Sequence, residues 1–101
     1  MVRVHKINIT DATTPDHLDT FFIRSWAFNK KIKLEIDATQ CKNVSLRKVL
    51  SMKKVLDEHR QYSRKYIEDS TIYVKTNFAH RILQTGLLFI RTERPVYVKV
   101  I

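Results

Sequence analysis

Hydrophobic and polar residues alternate from Lys31 to Asp37, with Ile32, Leu34 and Ile36 set against Lys31, Lys33, Glu35 and Asp37. A two-residue period predicts a strand that buries one face. The pattern breaks over residues 38–43, AlaThrGlnCysLysAsn, and resumes at helical spacing. Leu46, Val49, Met52, Leu56, His59, Ser63 and Tyr66 recur at steps of three and four, which predicts one helix from an N-cap at Ser45 to about Tyr66. Its outer face carries Arg47, Lys54, Gln61 and Lys65, with Lys48, Lys53, Arg60 and Arg64 on the flanks.

The rest of the chain falls into similar units. Residues 2–10 read as a first strand, but Val2 and Val4 share one parity and Ile7 and Ile9 the other, so a bulge is expected near His5 and Lys6. Thr14 is placed to cap a helix that begins at Pro15, with Asp16 in its first turn. Leu18, Phe21, Phe22, Ser25 and Trp26 form its inward stripe, while Ile23 falls on the polar side. Residues 71–75, ThrIleTyrValLys, predict a third strand with Ile72 and Val74 inward. Asn77 is the expected cap of a short helix whose Phe78, Ile82 and Leu83 face the core, and Gly86 is its expected stop, with Leu87 and Leu88 packing just beyond. Pro95 opens a last strand, in which Val96, Val98 and Val100 share one side.

The order is βαβαβαβ in a single domain, 1–101, which right-handed crossovers turn into a four-stranded, largely parallel sheet. Strands buried on both faces are continuously apolar, whereas these alternate. The expected architecture is therefore a two-layer α/β sandwich with helices mainly on one face. The other face is expected to display Lys31, Lys33, Glu35, Tyr73, Lys75, Tyr97 and Lys99.

Composition then narrows the chemistry. One glycine and two prolines leave no material for a glycine-rich phosphate loop. The longest apolar run, Leu87–Ile90, is far too short to span a membrane, and the first residues lack the apolar core of a secretory signal. Cys41 is the sole cysteine, so no internal disulfide forms, and a free thiol fits a reducing intracellular compartment such as the cytoplasm. The net charge of +9 favours an acidic partner, and eight of the Lys and Arg residues lie between Lys42 and Tyr66.

Catalytic candidates are few. His5, His17, His59 and His80 sit in four different elements without metal-ligand spacing, so neither a metal nor a cofactor is expected. Asp37 ends the central strand, where open sheets often carry function, but a lone carboxylate there more commonly accepts N–H bonds from the loop that follows. The chain is not expected to be an enzyme.

Three stretches resemble the STAS domain of anti-sigma-factor antagonists, stressosome proteins and anion-transporter tails: residues 11–18 before the first helix, residues 33–39 with their strand ending in Asp37, and residues 78–88 with their Thr-Gly-Leu step. The resemblance implies a non-enzymatic protein-interaction module, often controlled by phosphorylation of a serine at the start of the second helix. Ser45 is the matching position, although the family's approximate Asp-Ser-Ser-Gly reads Asn43-Val44-Ser45-Leu46 here. Ser45 is thus either a phosphoswitch or simply an N-cap.

The partner-binding surface expected from this reading is Lys42, Asn43, Ser45, Arg47, Lys48 and Lys54, facing a protein that is acidic. A nucleic-acid face made of Lys31, Lys33, Tyr73, Lys75, Tyr97 and Lys99 is the alternative, since aromatics among lysines suit stacked bases. A third reading is a structural subunit of a larger particle, with homo-oligomerisation through the β-prone final strand.

Overall fold

The computed structural model describes residues 2–90 and 92–101. Its elements run β1 (Arg3–Asn8), α1 (Pro15–Trp26), β2 (Ile32–Asp37), α2 (Leu46–Ser51), α3 (Lys53–Glu58), α4 (Arg60–Tyr66), β3 (Ile67–Val74), α5 (Asn77–Phe89) and β4 (Val96–Val100). The four strands form one parallel sheet in the order β1-β2-β3-β4. Successive right-handed crossovers that all step the same way place every connecting helix on the same side. This is the two-layer α/β architecture that the alternating strands require.

The expected bulge in β1 is absent. Pairing runs unbroken from Arg3 against Ile32 to Asn8 against Asp37, so His5 and Ile7 face the helices and Val4 the opposite side. A polar residue in a core-facing slot had disguised the period. Ser25 Oγ donates to Phe21 O at 3.0 Å and so accepts from His5 Nδ1, also at 3.0 Å.

The irregularity lies in β3 instead. Ile32 pairs with Ile67 but Leu34 with Ser70, placing one extra residue in β3 between those pairs. Ile67 and Ser70 both turn inward at a spacing of three, which is why the strand begins four residues before the Thr71 expected from its alternation.

Helix α1 follows its reading closely. Thr14 Oγ1 accepts from His17 N while His17 Nδ1 accepts from Thr14 N, a reciprocal cap in which histidine fills the usual Glu or Gln position. Leu18, Phe22, Ser25 and Trp26 are buried, and Ile23 is exposed. Each large apolar side chain so buried contributes roughly 1.5–3 kcal/mol.

The single helix expected over 46–66 is three short ones, turning at Met52 and His59. The expected inner stripe is half-buried, with His59 buried, but the deepest apolar residue is Val55, which that stripe left out. The ring of His59 fixes the second turn. Trp26 Nε1 donates to its Nδ1 at 3.0 Å, so Nε2 carries the proton and donates to Asp19 Oδ1 at 2.6 Å. Around it, Trp26 stacks on Phe22, Tyr62 and Tyr66 with centroids 5.5–6.1 Å apart.

Helix α5 departs most from expectation. Thr76, not Asn77, caps it, accepting from Ala79 N at 3.0 Å. Phe78 points outward at 67% exposure and Leu88 is 84% exposed, against expectation, whereas Ile82, Leu83 and Leu87 are half-buried, with Leu83 packed against the core. Gly86 lies buried inside the helix with no positive φ, and a Cβ built on it would meet Val49 Cγ1 at 2.4 Å. Here glycine serves the close approach of α5 to α2 rather than a helix stop.

The core is in two parts. One gathers Leu18, Phe22, Trp26, Ile32, Leu34, Val55 and Ile67 under α1 and α3; the other gathers Ala38, Val74 and Ala79 under α5.

Candidate functional site

Because all strands are parallel, the carboxyl ends of β1, β2 and β3 meet at one end of the sheet, the usual location of function in open α/β sheets. The loop 38–45 is the centre of this end, and two aspartates shape it. Asp37 Oδ1 accepts from Thr39 N at 3.0 Å and Thr39 Oγ1 at 2.6 Å, with Lys6 Nζ 3.8 Å from the other oxygen. The Thr39 bonds, helped by Lys6, hold its carboxyl below the ordinary range. Asp37 thus takes the loop-organising role its position suggests.

Asp11, from the β1–α1 turn, reaches across to the same loop. Its oxygens accept from Lys42 N at 3.0 Å and from Asn43 N at 3.1 Å, and Lys48 Nζ stands 3.7 Å away. Those backbone bonds, then the Lys48 charge, depress its pKa. Sequence alone could not pair Asp11 with residues 31 and 32 positions further on.

Cys41 Sγ donates to Ile9 O at 3.4 Å, and burial, reinforced by Asp11, pushes its thiol pKa upward. A thiol so held is mostly protonated near neutral pH and a poor nucleophile. Ser45 Oγ accepts from Lys48 N at 3.2 Å and so caps α2.

The expected partner-binding residues fall on three consecutive elements, the loop 38–45, α2 and α3. Lys42 and Asn43 are exposed on the clamped loop, Arg47 and Lys48 on α2, and Lys54 on α3, seven residues beyond Arg47. Lys48 is engaged by Asp11, whereas Lys42, Arg47 and Lys54 have no acidic partner among the described residues. Beside this surface opens a cleft of about 630 Å³, bordered by Thr39, Cys41, Lys42, Lys75, Thr76 and Phe78. Lys42 and Lys75 put two ammonium groups on its walls, and the exposed Phe78 adds an apolar lip.

Of the expected nucleic-acid face, Lys33, Tyr73, Tyr97 and Lys99 share the uncovered side of the sheet, whereas Lys31 and Lys75 fall outside its strands. Lys75 lies beyond the end of β3 and lines the cleft, and Lys31 precedes β2. On the uncovered face of the sheet, Lys33 pairs with Asp69 at 3.7 Å and Lys6 with Asp37 at 3.8 Å, with Glu35 level with Lys6 in the register. Tyr97 is half exposed beside Thr71, and the less exposed Tyr73 lies beside Lys99. Acids interleave the bases there.

Both ring nitrogens of His59 are committed to Trp26 and Asp19. Among the described residues no three His, Cys, Asp or Glu side chains are grouped to hold a metal ion, and no helix is long and apolar enough to cross a membrane. The fold and site together define a two-layer α/β domain with a basic helical surface at the carboxyl end of its sheet. No family model, curated protein or solved structure matches the chain.

Proposed function

We propose that this chain is a STAS-like, non-enzymatic interaction module that binds an acidic segment of another protein through the loop 42–45 and helices α2 and α3. The observation that carries this reading is the set of exposed cations on the loop and helices, Lys42, Arg47 and Lys54, which have no acidic partner among the described residues. On the sheet face, Lys6 and Lys33 pair with Asp37 and Asp69, and Lys99 has no such partner. Unneutralised charge steers an acidic partner and sets its association rate. The loop that presents Lys42 is held by Asp11, so little ordering remains to be done on binding. The cleft between Lys42 and Lys75 fits an acidic side chain, and Phe78 gives it an apolar neighbour.

The test is a pull-down from native lysate, with and without nuclease, using the wild type and an R47E/K54E variant. A protein retained after nuclease treatment and lost from the charge-reversed variant supports the reading. Loss to nuclease would favour nucleic acid as the partner, and retention by the variant would place recognition elsewhere.

A further inference from the structure

We infer that the outer edge of β4 is a dimer interface, where a second copy of this chain continues the sheet in antiparallel register about Val98. β4 ends the sheet on one side, and among the described residues no strand pairs with its outer edge. The bonds on its inner side fix which groups remain. Pro95 O accepts from Ser70 N and Ile101 N donates to Val74 O, each at 2.9 Å. Alternate residues of a strand turn their N–H and C=O groups to the same side, so residues 95, 97, 99 and 101 address β3. Val96, Val98 and Val100 therefore point theirs outward.

Antiparallel strands join through opposed residues that exchange both bonds. Setting Val98 against its own copy sets Val96 against Val100, and every outward N–H and C=O of the strand then has a partner. In this register the half-exposed Tyr97 lies directly opposite Lys99 of the second copy, on the uncovered face. Lys99 has no acidic partner among the described residues, and an aromatic ring is a favourable neighbour for its ammonium group. The other edge of the sheet is guarded. Ile9 N donates to Asp37 O at 2.8 Å, so β1 turns the groups of Val4, Lys6 and Asn8 outward. The same symmetric pairing would set Lys6 against its own copy, and a lysine in the middle of an edge strand deters pairing. A two-fold pair uses both β4 edges, so assembly stops at two copies.

The test is sedimentation equilibrium of the nuclease-treated full chain over a range of concentrations, with amide hydrogen exchange followed by NMR. A monomer–dimer equilibrium is expected, and it should tighten with added salt, which screens the +9 charge on each copy. In the dimer the amides of Val96, Val98 and Val100 should gain protection, while those of Tyr97 and Lys99, already directed at β3, should change little. Y97K opposes like charges and should weaken association several-fold; Y97K/K99E makes each cross-strand pair opposite in charge and should restore it. Both positions are exposed, so the fold should tolerate these changes. A strict monomer at every concentration overturns the inference. So does a dimer that gains no protection along β4, that is indifferent to Y97K, or that loosens with salt.

Discussion

Replacing Gly86 with alanine sets two known effects against each other. In a helix interior, alanine is favoured over glycine by about 1 kcal/mol. Against this, the added Cβ would lie 2.4 Å from Val49 Cγ1 and 3.3 Å from Val49 Cβ, where ordinary contacts begin at 3.4 Å. The two helices would have to separate by about 1 Å, or Val49 leave its rotamer, and β-branched residues in helices hold essentially one. Overpacking of this kind costs about 1–3 kcal/mol, so the net expectation lies between no change and a loss of about 2 kcal/mol. For a chain this size that lowers Tm by up to roughly 15 °C.

Urea unfolding and calorimetry of G86A, V49A and the double variant would measure it. The double variant should recover much of the loss, because the two side chains compete for one space, giving a coupling energy above about 0.5 kcal/mol. A stabilised G86A, or strictly additive effects, would refute the close approach of α2 and α5.

His59→Leu should destabilise by about 1–3 kcal/mol with an unchanged urea m-value, since it leaves the buried Trp26 N–H without an acceptor; a neutral result would remove His59 from its structural role. The carboxyls of Asp11, Asp37 and Asp57 are all held low by hydrogen bonds and neighbouring cations. Stability from such groups is complete above about pH 4 and is lost as pH falls through their depressed values. The urea midpoint of the wild type should therefore drop on acidification below that point, and D11N should drop less steeply. Burial works oppositely on His5, whose lowered pKa means that stability falls as pH drops below about 6.5, where the unfolded chain takes up the proton first; H5N should flatten that part of the curve. Cys41 should react with iodoacetamide at neutral pH more slowly than the same thiol in the urea-unfolded chain, and an equal or faster native rate would contradict its raised pKa.

Much of this fold is legible in short-range pattern. The inward parity of β2 and β4, the capped start of α1 and the N-cap at Ser45 all rest on residues a few positions apart, so local chemistry decides them. What escaped reading depends on partners remote in the chain. His5 looks polar until Ser25 meets it, Gly86 looks like a terminator until Val49 is laid against it, and Asp11 looks like a turn residue until the loop 42–43 closes on it. The β3 bulge belongs with them, since Glu68 and Asp69 mask the start of a strand whose register only β2 defines. For the basic surface, sequence placed the charges on one stretch, but only geometry distinguishes the neutralised lysines from the free ones.

Each strand of the sheet lies next to the one made just before it. Construction can therefore proceed in single steps, each closing a span of roughly thirty residues, the size of one βαβ unit. As the chain emerges from a ribosome, every new strand finds its template already laid down, and only one raw edge awaits its successor. A strand order that skipped a position would leave a gap exposed until distant residues arrived. This one never opens such a gap.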